Sequence, residues 1–496
     1  MYEIKNFTAR KYQDEITETS KNNNTLTVLP TGTGKTSIAI LTAIERLKQH
    51  PHSNILILTP TKPLSAQILK EFKEKTNIPE DQIVLLTGET TPKKRQELWE
   101  SAIIAVATPQ TIQKDLENER ISTSVTSLLV VDECHRSRMN FANTIVAQKY
   151  MKQSKFPRIM ALTASPGGTK EKIDEIKNNL SIEAVEIRTE EDIKEFIQEK
   201  KITWLEVELP EELKKLLKFI KIAYEYKLHD LRKLGFTKPI NLISKGDLIS
   251  LQKKFAILAR KRDPSAFYGL YITAVLIKLD YAAELLETQG ISSLNEYWKK
   301  LDKETTKAAN TIKKMPEITA AISLTNELIQ KNTKHPKIYM LKGVIRKEIE
   351  RNPEAKIIVF ANYRNTIEEI LKELSKLKNI RASKLIGQKL GLKQKDQIET
   401  IRKFERGENN VLVCTQVGEE GIDIQSGAEL AIFYDIVASE IRTIQRKGRV
   451  GRTRTGRIVF LVTNKTREQG YKWSAYNKEK KMKQTLLNMK NKLKQD

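Results

Sequence analysis

Short apolar runs, four or five residues long and often β-branched, recur through the first third of the chain. They are Leu26–Leu29, Ile55–Leu58, Ile83–Leu86, Ile103–Ala107, Leu128–Val131 and Ile159–Leu162. Runs of this length without polar alternation are typical of parallel strands that are buried on both faces. Polar periodic segments such as Thr36–Gln49 and Leu64–Lys75 lie between the runs and predict helices. Strands that alternate with helices restrict this part of the chain to a doubly wound parallel sheet.

The same alternation returns late in the chain. Strands are predicted over Ile357–Phe360, Val411–Cys414, Leu430–Tyr434 and Ile458–Val462, and helices over Thr366–Lys376 and Gln394–Arg406. Residues 201–340 instead have long helical periodicity. We therefore expect an α/β protein with domains at residues 1–200 and 341–470, a helical insert at 201–340, and a basic C-terminal helix or tail at 471–496.

The charge balance favours a polyanionic partner, most often nucleic acid. Lys plus Arg number 87 against 62 Asp plus Glu, a net charge of +25. Residues 201–345 carry 26 basic against 16 acidic residues, a net +10. The densest basic cluster of this insert is Lys253, Lys254, Arg260, Lys261 and Arg262. We expect the cluster to contact duplex, and the alternative is a spacer whose lysines only keep it solvated.

Other compositional features exclude whole classes of protein. No apolar run reaches ~18 residues, so no membrane-spanning helix is expected. The amino terminus lacks the apolar segment of a signal peptide. Cys134 and Cys414 are the only cysteines, which excludes a disulfide scaffold and a Cys-rich zinc site. These features predict a cytoplasmic protein, associated with the nucleoid in a prokaryote.

A glycine-containing segment between a predicted strand and a predicted helix has the context of a phosphate-binding loop. Its residues are Pro30, Thr31, Gly32, Thr33, Gly34, Lys35 and Thr36. Glycines let backbone N–H groups approach phosphates, and a helix N-terminus adds partial positive charge. We expect Lys35 to reach the β- and γ-phosphates and the Thr36 hydroxyl to bind Mg²⁺. Leu29 stands where such loops usually have their first glycine.

Two carboxylates follow the predicted strand Leu128–Val131, at the strand end where α/β sheets bind ligands. Asp132 is a candidate Mg²⁺ ligand, usually through water. Glu133 is a candidate for orienting and deprotonating an attacking water. His135 would couple this site to the rest of the protein. Alone, such a string is often only an acidic strand end, but here it follows the phosphate-binding loop in the expected order.

A basic segment near residue 450 carries candidate phosphate contacts. Arg449 and Arg452 are three residues apart and would lie on one side of a helical turn. Guanidinium groups bind phosphate oxygens in a bidentate manner. Arg446 is equally spaced from Arg449, so spacing alone does not decide which pair faces a phosphate.

With these motifs in order, the sequence resembles the superfamily-two DExH helicases. Further matching blocks are ARKYQ (10 and 13), TPTKPL (59–64), ATPQT (108 and 109), TAS (163–165), VFANYR (359–364) and TQVGEEGIDI (415–424). The blocks TPTKPL, VGEEGID, IRTIQRKGRVGR and YKWSAYNKEK resemble the archaeal Hef and eukaryotic FANCM type in particular. The resemblance implies two RecA-like domains with a helical insert between them, and an ATP hydrolase that uses Mg²⁺.

The resemblance also assigns roles to polar residues of these blocks. Arg10 and Gln13 would read adenine, Gln445 would position water, and Gly421 and Asp423 would lie near the ribose. A set of loop residues would grip one strand's backbone: Thr61, Lys62, Thr108, Pro109, Asn362 and Thr415. His135, Thr163 and Ser165 would couple the nucleotide site to the other lobe. The alternative for such threonines is an ordinary turn or helix cap.

The resemblance implies that the protein is a DNA helicase or translocase. It would act on forked or branched substrates in replication-fork repair and move 3′ to 5′. DNA forks, junctions and single strand adjoining duplex are the expected partners. The XPF-type nuclease motif of Hef is absent from this sequence, so a separate or lost nuclease is a further expected partner. The alternatives are an RNA- or double-stranded-RNA-directed ATPase, and an ATP-gated module that binds branched DNA and recruits a nuclease.

Overall fold

The fold was analysed in a computed structural model, which describes residues 2–167, 170–196, 200–239, 243–386, 394–415, 428–436 and 456–493. Its first lobe is a parallel sheet covered by helices. The strands are β1 (Thr25–Val28), β2 (Asn54–Leu58), β3 (Ile83–Leu86), β4 (Ile104–Ala107), β5 (Thr126–Val131), β6 (Ile159–Thr163) and β7 (Ala184–Ile187). The helices are α1 (Lys11–Asn22), α2 (Lys35–Gln49), α3 (Lys62–Lys75), α4 (Pro92–Ser101), α5 (Pro109–Glu117), α6 (Ala142–Gln153) and α7 (Lys170–Asn179).

The spatial order of this sheet is β3-β4-β2-β5-β6-β1-β7, and every pairing is parallel. Successive residues of one strand enter different cores. Leu129 and Val131 pack in one core, whereas Leu128 and Val130 pack in the other. Because helices cover both faces, both sets must be apolar, which explains the uninterrupted apolar runs.

The helical bundle contains α8 (Glu211–Arg232), α9 (Lys245–Arg260), α10 (Pro264–Thr288), α11 (Ile291–Lys303), α12 (Lys307–Lys313) and α13 (Pro316–Gln330). Helix α10 lies at its centre and contacts α8, α9, α11 and α12. The stripe formed by Leu213, Leu216 and Ile220 packs against Val275 and Leu279. The predicted helical insert is therefore an ordinary bundle with its own apolar core.

The second lobe is another parallel sheet, in the order β10-β11-β9-β12-β13-β8. Its strands are β8 (Lys200–Val207), β9 (Ile357–Phe360), β10 (Ala382–Leu385), β11 (Val411–Cys414), β12 (Leu430–Phe433) and β13 (Gly456–Thr463). Its helices are α14 (Pro336–Arg351), α15 (Arg364–Leu374) and α16 (Gln394–Glu405). The predicted fold class, two doubly wound sheets with a bundle between them, is confirmed.

The predicted boundary between residues 200 and 201 is wrong. Strand β8 pairs along its whole length with β13, so the chain enters the second sheet before it forms the bundle. The Trp204 ring stacks on Phe460 with a 4.2 Å centroid separation. Sequence inspection missed β8 because charged and polar residues interrupt the apolar residues of KKITWLEV, so it has no continuous apolar run.

The last helix, α17 (Arg467–Leu493), begins four residues before the predicted tail. It starts beside the bundle, and Met489 near its end packs against a core of the first lobe. The helix therefore touches both lobes. Within the described part of the chain, no helix combines the length and apolar character needed to cross a membrane.

Candidate active site

Sheet order brings the predicted motifs of the first lobe to one edge. Strands β4, β2, β5, β6 and β1 are neighbours in that order and run parallel, so the loops at their carboxyl ends lie side by side. The loops after β4, β2, β5 and β1 carry Thr108, Thr61, Asp132 and the segment 30–36 respectively, and Thr163 is the last residue of β6. The site therefore occupies the sheet edge at which α/β proteins bind their ligands.

The segment 30–36 forms a tight loop whose glycines are conformationally required. Gly32 and Gly34 have φ angles of 78° and 84°, in the left-handed region. A Cβ at Gly34 would lie 2.5 Å from Gln13 Nε2, so a larger residue would displace that side chain. Around Gly32 no atom lies within 4 Å of such a Cβ, which leaves the backbone accessible. The loop can therefore direct its N–H groups at a phosphate.

Lys35 begins α2, with its side chain folded over this loop. Its Nζ donates to the carbonyls of Leu29 and Pro30, both at 3.3 Å. The Thr33 hydroxyl also donates to Pro30 O, at 2.7 Å. These bonds hold the Lys35 ammonium beside the helix N-terminus, where positive charge attracts phosphate.

The two predicted adenine-reading residues lie against the loop. Gln13 is buried, its Oε1 accepts from the Arg10 backbone N–H at 2.9 Å, and its Nε2 is 3.5 Å from Thr33 O. Two neighbours had no predicted role. The Tyr12 hydroxyl donates to Thr33 O at 2.5 Å, and the Phe196 ring lies 4.8 Å from the Arg10 guanidinium. Tyr12 lies inside the ARKYQ block, whereas nothing in the sequence marks Phe196.

Asp132 and Glu133 have distinct electrostatic surroundings although they are adjacent. Burial, and then the negative charge of Glu133, raise the pKa of Asp132 to about 7. Burial also acts to raise the pKa of Glu133. The hydrogen bond from His135 and the charges of His135, Lys35 and Arg136 outweigh that effect, so this pKa is lowered. Glu133 therefore stays ionised near neutral pH, which a general base requires.

The backbone at this turn is also unusual. Glu133 has φ 50° and ψ 47°, a left-handed conformation that is uncommon for a residue with a side chain. The Asp132 N–H donates to Leu58 O at 2.9 Å, which fixes the start of the turn on strand β2. Strain of this kind recurs at functional sites.

The predicted coupling residues contact one another. His135 Nδ1 lies 3.2 Å from Glu133 Oε2 and 3.3 Å from Thr163 Oγ1. The Ser165 backbone N–H donates to the same Thr163 hydroxyl at 3.1 Å. A continuous chain of polar contacts therefore connects the carboxylates after β5 with the loop after β6.

The donor atoms at this edge fit Mg²⁺. A hydroxyl from Thr36 and a carboxylate from Asp132 are oxygen ligands of the type that this ion prefers. Of the residues that the structure describes, no three or more His, Cys, Asp or Glu side chains form a group that could hold a metal. Nucleotide phosphates and water would therefore complete the coordination, as is usual for this ion.

The predicted strand-gripping residues of the first lobe lie at helix N-termini. Thr61 precedes α3, and its buried hydroxyl has no hydrogen-bond partner. Thr108 precedes α5, which begins at Pro109, and its hydroxyl lies 2.8 Å from that of Thr111. Lys62 is paired with an exposed glutamate, Glu89, at 2.9 Å. Helix N-termini with adjacent hydroxyls are suited to binding backbone phosphates.

In the second lobe, Asn362 and Thr415 follow the adjacent strands β9 and β11. The Asn362 N–H donates to Asp435 Oδ2 at 2.5 Å, and Thr415 is buried. The predicted residues Gly421, Asp423, Gln445, Arg449 and Arg452 lie outside the described residues. The five residues of the basic cluster are all exposed, on the second half of α9 and the turn after it.

Three family models match successive parts of the chain. Residues 10–173 match the DEAD/DEAH box helicase model and residues 337–454 match the helicase conserved C-terminal domain. Residues 211–333, in the bundle, match "Putative ATP-dependent RNA helicase, helical bundle". The three matches follow the order of first lobe, bundle and second lobe.

Individual relatives cover nearly the whole chain. One is "Putative ATP-dependent RNA helicase" of Methanocaldococcus jannaschii, 39% identical over 98% of this chain and 61% of its own length. Another is ATP-dependent DNA helicase mph1 of Sclerotinia sclerotiorum, 34% identical over 95% of this chain and 41% of its own length. This chain thus spans about two fifths to three fifths of these relatives.

A solved structure shares both the fold and the extent of the chain. The Pyrococcus furiosus Hef helicase domain superposes with a TM-score of 0.72 at 40% identity, covering 94% of this chain and 98% of that one. At this identity and coverage the similarity extends beyond the fold to the family. The chain belongs to the superfamily-two DExH helicases of the Hef and FANCM type, which couple ATP hydrolysis to helicase activity, and it corresponds to their helicase portion.

Proposed function

We propose that this chain uses ATP hydrolysis to unwind, or move along, forked or branched DNA in the repair of replication forks. We further propose 3′ to 5′ movement, and a place in the cytoplasm beside the nucleoid if the organism is a prokaryote. The observation that carries the proposal is the shared edge of the first sheet. A nucleotide site at β1 and β5 adjoins helix N-termini suited to a strand backbone at β2 and β4.

In this proposal each residue at the nucleotide site has one task. The loop backbone and Lys35 bind the phosphates, with Arg10 and Gln13 at the adenine. Thr36 and Asp132 hold Mg²⁺, which neutralises phosphate charge when bound. Glu133 takes a proton from the attacking water. From the second lobe come Gln445, Arg449 and Arg452, with Gly421 and Asp423 near the ribose.

The link from hydrolysis to movement runs through His135, Thr163 and Ser165. Thr61, Lys62, Thr108 and Pro109 would hold the strand from the first lobe, and Asn362 and Thr415 from the second. Such contacts to the backbone carry no sequence information. When the cleft between the lobes opens and closes, the two grips would shift relative to each other along one strand. The basic cluster of the bundle would then hold the duplex arm.

The test is the ATPase rate of the chain against a panel of single-stranded, duplex, forked and four-way DNA and RNA. Forked DNA should stimulate hydrolysis most. Strand displacement from forks with only a 3′ or only a 5′ single strand then tests direction, with trapped single strand to prevent reannealing. No displacement despite stimulated hydrolysis would instead support an ATP-gated module that recruits a separate nuclease.

A second candidate is an RNA-directed ATPase. The Methanocaldococcus relative and the bundle model both carry RNA helicase in their descriptions. DNA and RNA are told apart by contacts to the 2′-hydroxyl. Stronger stimulation by an RNA fork than by a DNA fork of the same sequence would favour this candidate.

A further inference from the structure

Three large aromatic side chains are exposed on two helices of the bundle that pack against each other, α8 and α10. Tyr226 on α8 is 64% exposed, and Phe267 and Tyr268 on the first turns of α10 are 58% and 42% exposed. These three residues form what we call the aromatic face. Single exposed aromatic residues are common, but a group on two packed helices is a candidate binding surface.

Lys227 connects the two parts of this face. Its ammonium lies 5.2 Å from the centroid of the Tyr226 ring and 3.0 Å from the Asp230 carboxylate. It also interacts electrostatically with Tyr268 and Tyr271 of α10. Lys227 therefore places a positive charge within reach of rings on both helices, α8 and α10.

Tyr271 supports the face from beneath. Its ring lies 5.9 Å from that of Tyr268, tilted by 40°, and Lys307 lies 5.0 Å over the Tyr271 ring. Its hydroxyl is 2.9 Å from that of Thr311 on α12. The Tyr268 ring therefore rests on a hydrogen-bonded neighbour and does not extend freely into solvent.

Positive charge borders the aromatic face. The exposed residues Arg260, Lys261 and Arg262 end α9 and form the turn before Phe267 and Tyr268. Of the nearby carboxylates, Asp263 accepts hydrogen bonds from the N–H and hydroxyl of Ser265, and Asp230 is paired with Lys227. Exposed ring faces beside unshielded cations are the combination that binds unpaired bases through stacking and phosphates through charge.

We propose that the aromatic face binds the unpaired bases next to a duplex–single-strand junction by ring stacking, while the turn at 260–262 binds the adjoining phosphates. The proposal rests on the proposed function, and it names the part of the substrate that the bundle contacts. The positive charge around the face favours a nucleic acid over the apolar surface of a protein partner. The variants of Tyr268 described below distinguish these two occupants.

The first experiment uses the unaltered chain and forks in which the two unpaired nucleotides next to the junction are abasic. Removing those bases should weaken fork binding at least tenfold, because the stacking of even one base on a protein ring is worth roughly that. 2-Aminopurine at the same positions should lose fluorescence on binding. Equal affinity for intact and abasic forks, with unchanged fluorescence, would overturn the proposal.

The second experiment combines Tyr226→Ser, Phe267→Ser and Tyr268→Ser in one variant. It should bind intact forks about tenfold more weakly and lose no further affinity on abasic forks, since the same contact is already gone. The matched control is Tyr339→Ser, which removes a tyrosine that is 61% exposed on α14, far along the chain from this face. Full fork affinity of the triple variant would overturn the proposal.

Conservative changes separate stacking from simple apolar contact. Tyr268→Trp should keep fork affinity, whereas Tyr268→Leu should lower it although leucine is apolar. Wild-type affinity in the leucine variant would overturn base stacking and favour a protein partner. If no nucleic acid stimulates the ATPase of the unaltered chain, the proposed function itself fails. Stimulation with an unchanged abasic response refutes this inference alone.

Discussion

At the scale of single residues, the two carboxylates of the candidate active site show how adjacent residues acquire different chemistry. Glu133 keeps its charge because His135 donates to it and Lys35 and Arg136 lie nearby, which outweighs its burial. For Asp132, burial and the negative charge of Glu133 outweigh the charge of Lys35 and the hydrogen bond from the Glu133 backbone, so its pKa is raised to about 7. Binding a divalent cation would favour the ionised form of Asp132. One residue is thus poised to take a proton and the other to hold a metal.

This difference predicts the behaviour of Glu133→Gln. Glutamine keeps the shape but is a far poorer base, so the ATPase rate constant should fall by roughly 10² to 10⁴. ATP should still bind, since Lys35, Thr36 and Asp132 are unchanged. Steady-state hydrolysis and the affinity for a fluorescent ATP analogue measure the two effects separately.

The matched comparison is Lys35→Ala, which removes the ammonium over the loop. It should weaken ATP binding and abolish hydrolysis, while fork binding without ATP persists because those contacts lie elsewhere. If Glu133→Gln lost ATP binding as severely as Lys35→Ala, Glu133 would be a structural residue and not a base.

The buried environment of His335 leads to a prediction about how stability depends on pH. It is buried at the start of α14, with Nδ1 accepting from Lys337 N–H at 3.3 Å and Nε2 lying 3.2 Å from Glu287 O. The neutral imidazole satisfies both contacts. Burial, followed by the charge of Lys337, lowers the pKa of His335 to about 3.

Acid should therefore destabilise the protein through His335. As pH falls below about 6.5, His335 becomes protonated in the unfolded state, whereas in the folded state it stays neutral until about pH 3. The folded state should lose about 1.4 kcal/mol per pH unit across that window. His335→Gln should remove this dependence, measured as the difference from wild type in urea unfolding at pH 7.5 and 5. The exposed His52→Gln is the control, and an equal pH response in both variants would contradict the assignment.

At the scale of elements, the strands that could be predicted from the sequence are those with continuous apolar runs. Every predicted strand is present within two residues, because β1 to β6, β9 and β11 to β13 are apolar on both faces. Strands β7, β8 and β10 were missed, and all three lie at sheet edges. Edge position alone does not explain this, because β3 also lies at an edge and was predicted from its apolar run IVLL. The missed strands AVEI, KKITWLEV and ASKL contain charged or polar residues that interrupt such a run, as an edge strand tolerates.

The candidate site was predictable only where local sequence determines it. The residues of the loop 30–36 and of the turn 132–135 lie in contiguous motifs, and the sheet order brings these motifs together. Phe196 beside Arg10 and Gln289 beside Asp435 come together only through tertiary packing. No periodicity or spacing in the sequence marks such pairs.

A buried ion pair joins two elements of the second lobe. Lys337 on α14 contacts the Glu468 carboxylate on α17 and donates to Tyr434 O at 2.9 Å. Glu468 in turn accepts from Thr463 N–H at 2.8 Å. Both side chains of the pair are fully buried. Neither charge has water to replace its partner, so the pair anchors the start of α17.

Lys337→Met should therefore destabilise the protein by about 3–5 kcal/mol, because it leaves the Glu468 carboxyl buried without its partner. Adding Glu468→Leu should recover much of that loss. The control is Lys331→Met in an exposed pair with Glu327, which should lower the free energy of unfolding far less because solvent screens that pair. Urea unfolding measures all three, and equal losses in the single variants would mean that the buried pair contributes no more than a surface one.

At the scale of the whole molecule, polar contacts attach the bundle to the second lobe. Gln289, just after α10, donates to Asp435 Oδ1 at 2.7 Å and accepts from the Thr366 hydroxyl at 2.5 Å. Asp435 also accepts from the N–H of Asn362, a predicted strand contact. Arg467 of α17 forms ion pairs with Asp280 and Glu287 of α10. The bundle should therefore follow the second lobe when the cleft closes.

Distance measurements between pairs of probes test this coupled movement. Both native cysteines are buried, so introduced cysteines can be labelled selectively. Lys299→Cys marks the bundle, Lys378→Cys the second lobe and Glu97→Cys the first lobe, all at exposed positions. On adding a non-hydrolysable ATP analogue, Mg²⁺ and forked DNA, the distance between 299 and 378 should stay constant. The distance between 299 and 97 should change.

A substitution at Gln289 tests whether its hydrogen bonds make the bundle move with the second lobe. Gln289→Leu has a similar volume but loses both hydrogen bonds and leaves Asp435 and Thr366 without that partner, so the 299–378 distance should broaden or shift. Fork-stimulated ATPase should fall with it, because closing the lobes would no longer move the bundle and the duplex contacts proposed for it. If the 299–378 distance changes on closure in the wild-type sequence as much as the 299–97 distance, the bundle moves independently, and the contacts of Gln289 do not couple it to the second lobe.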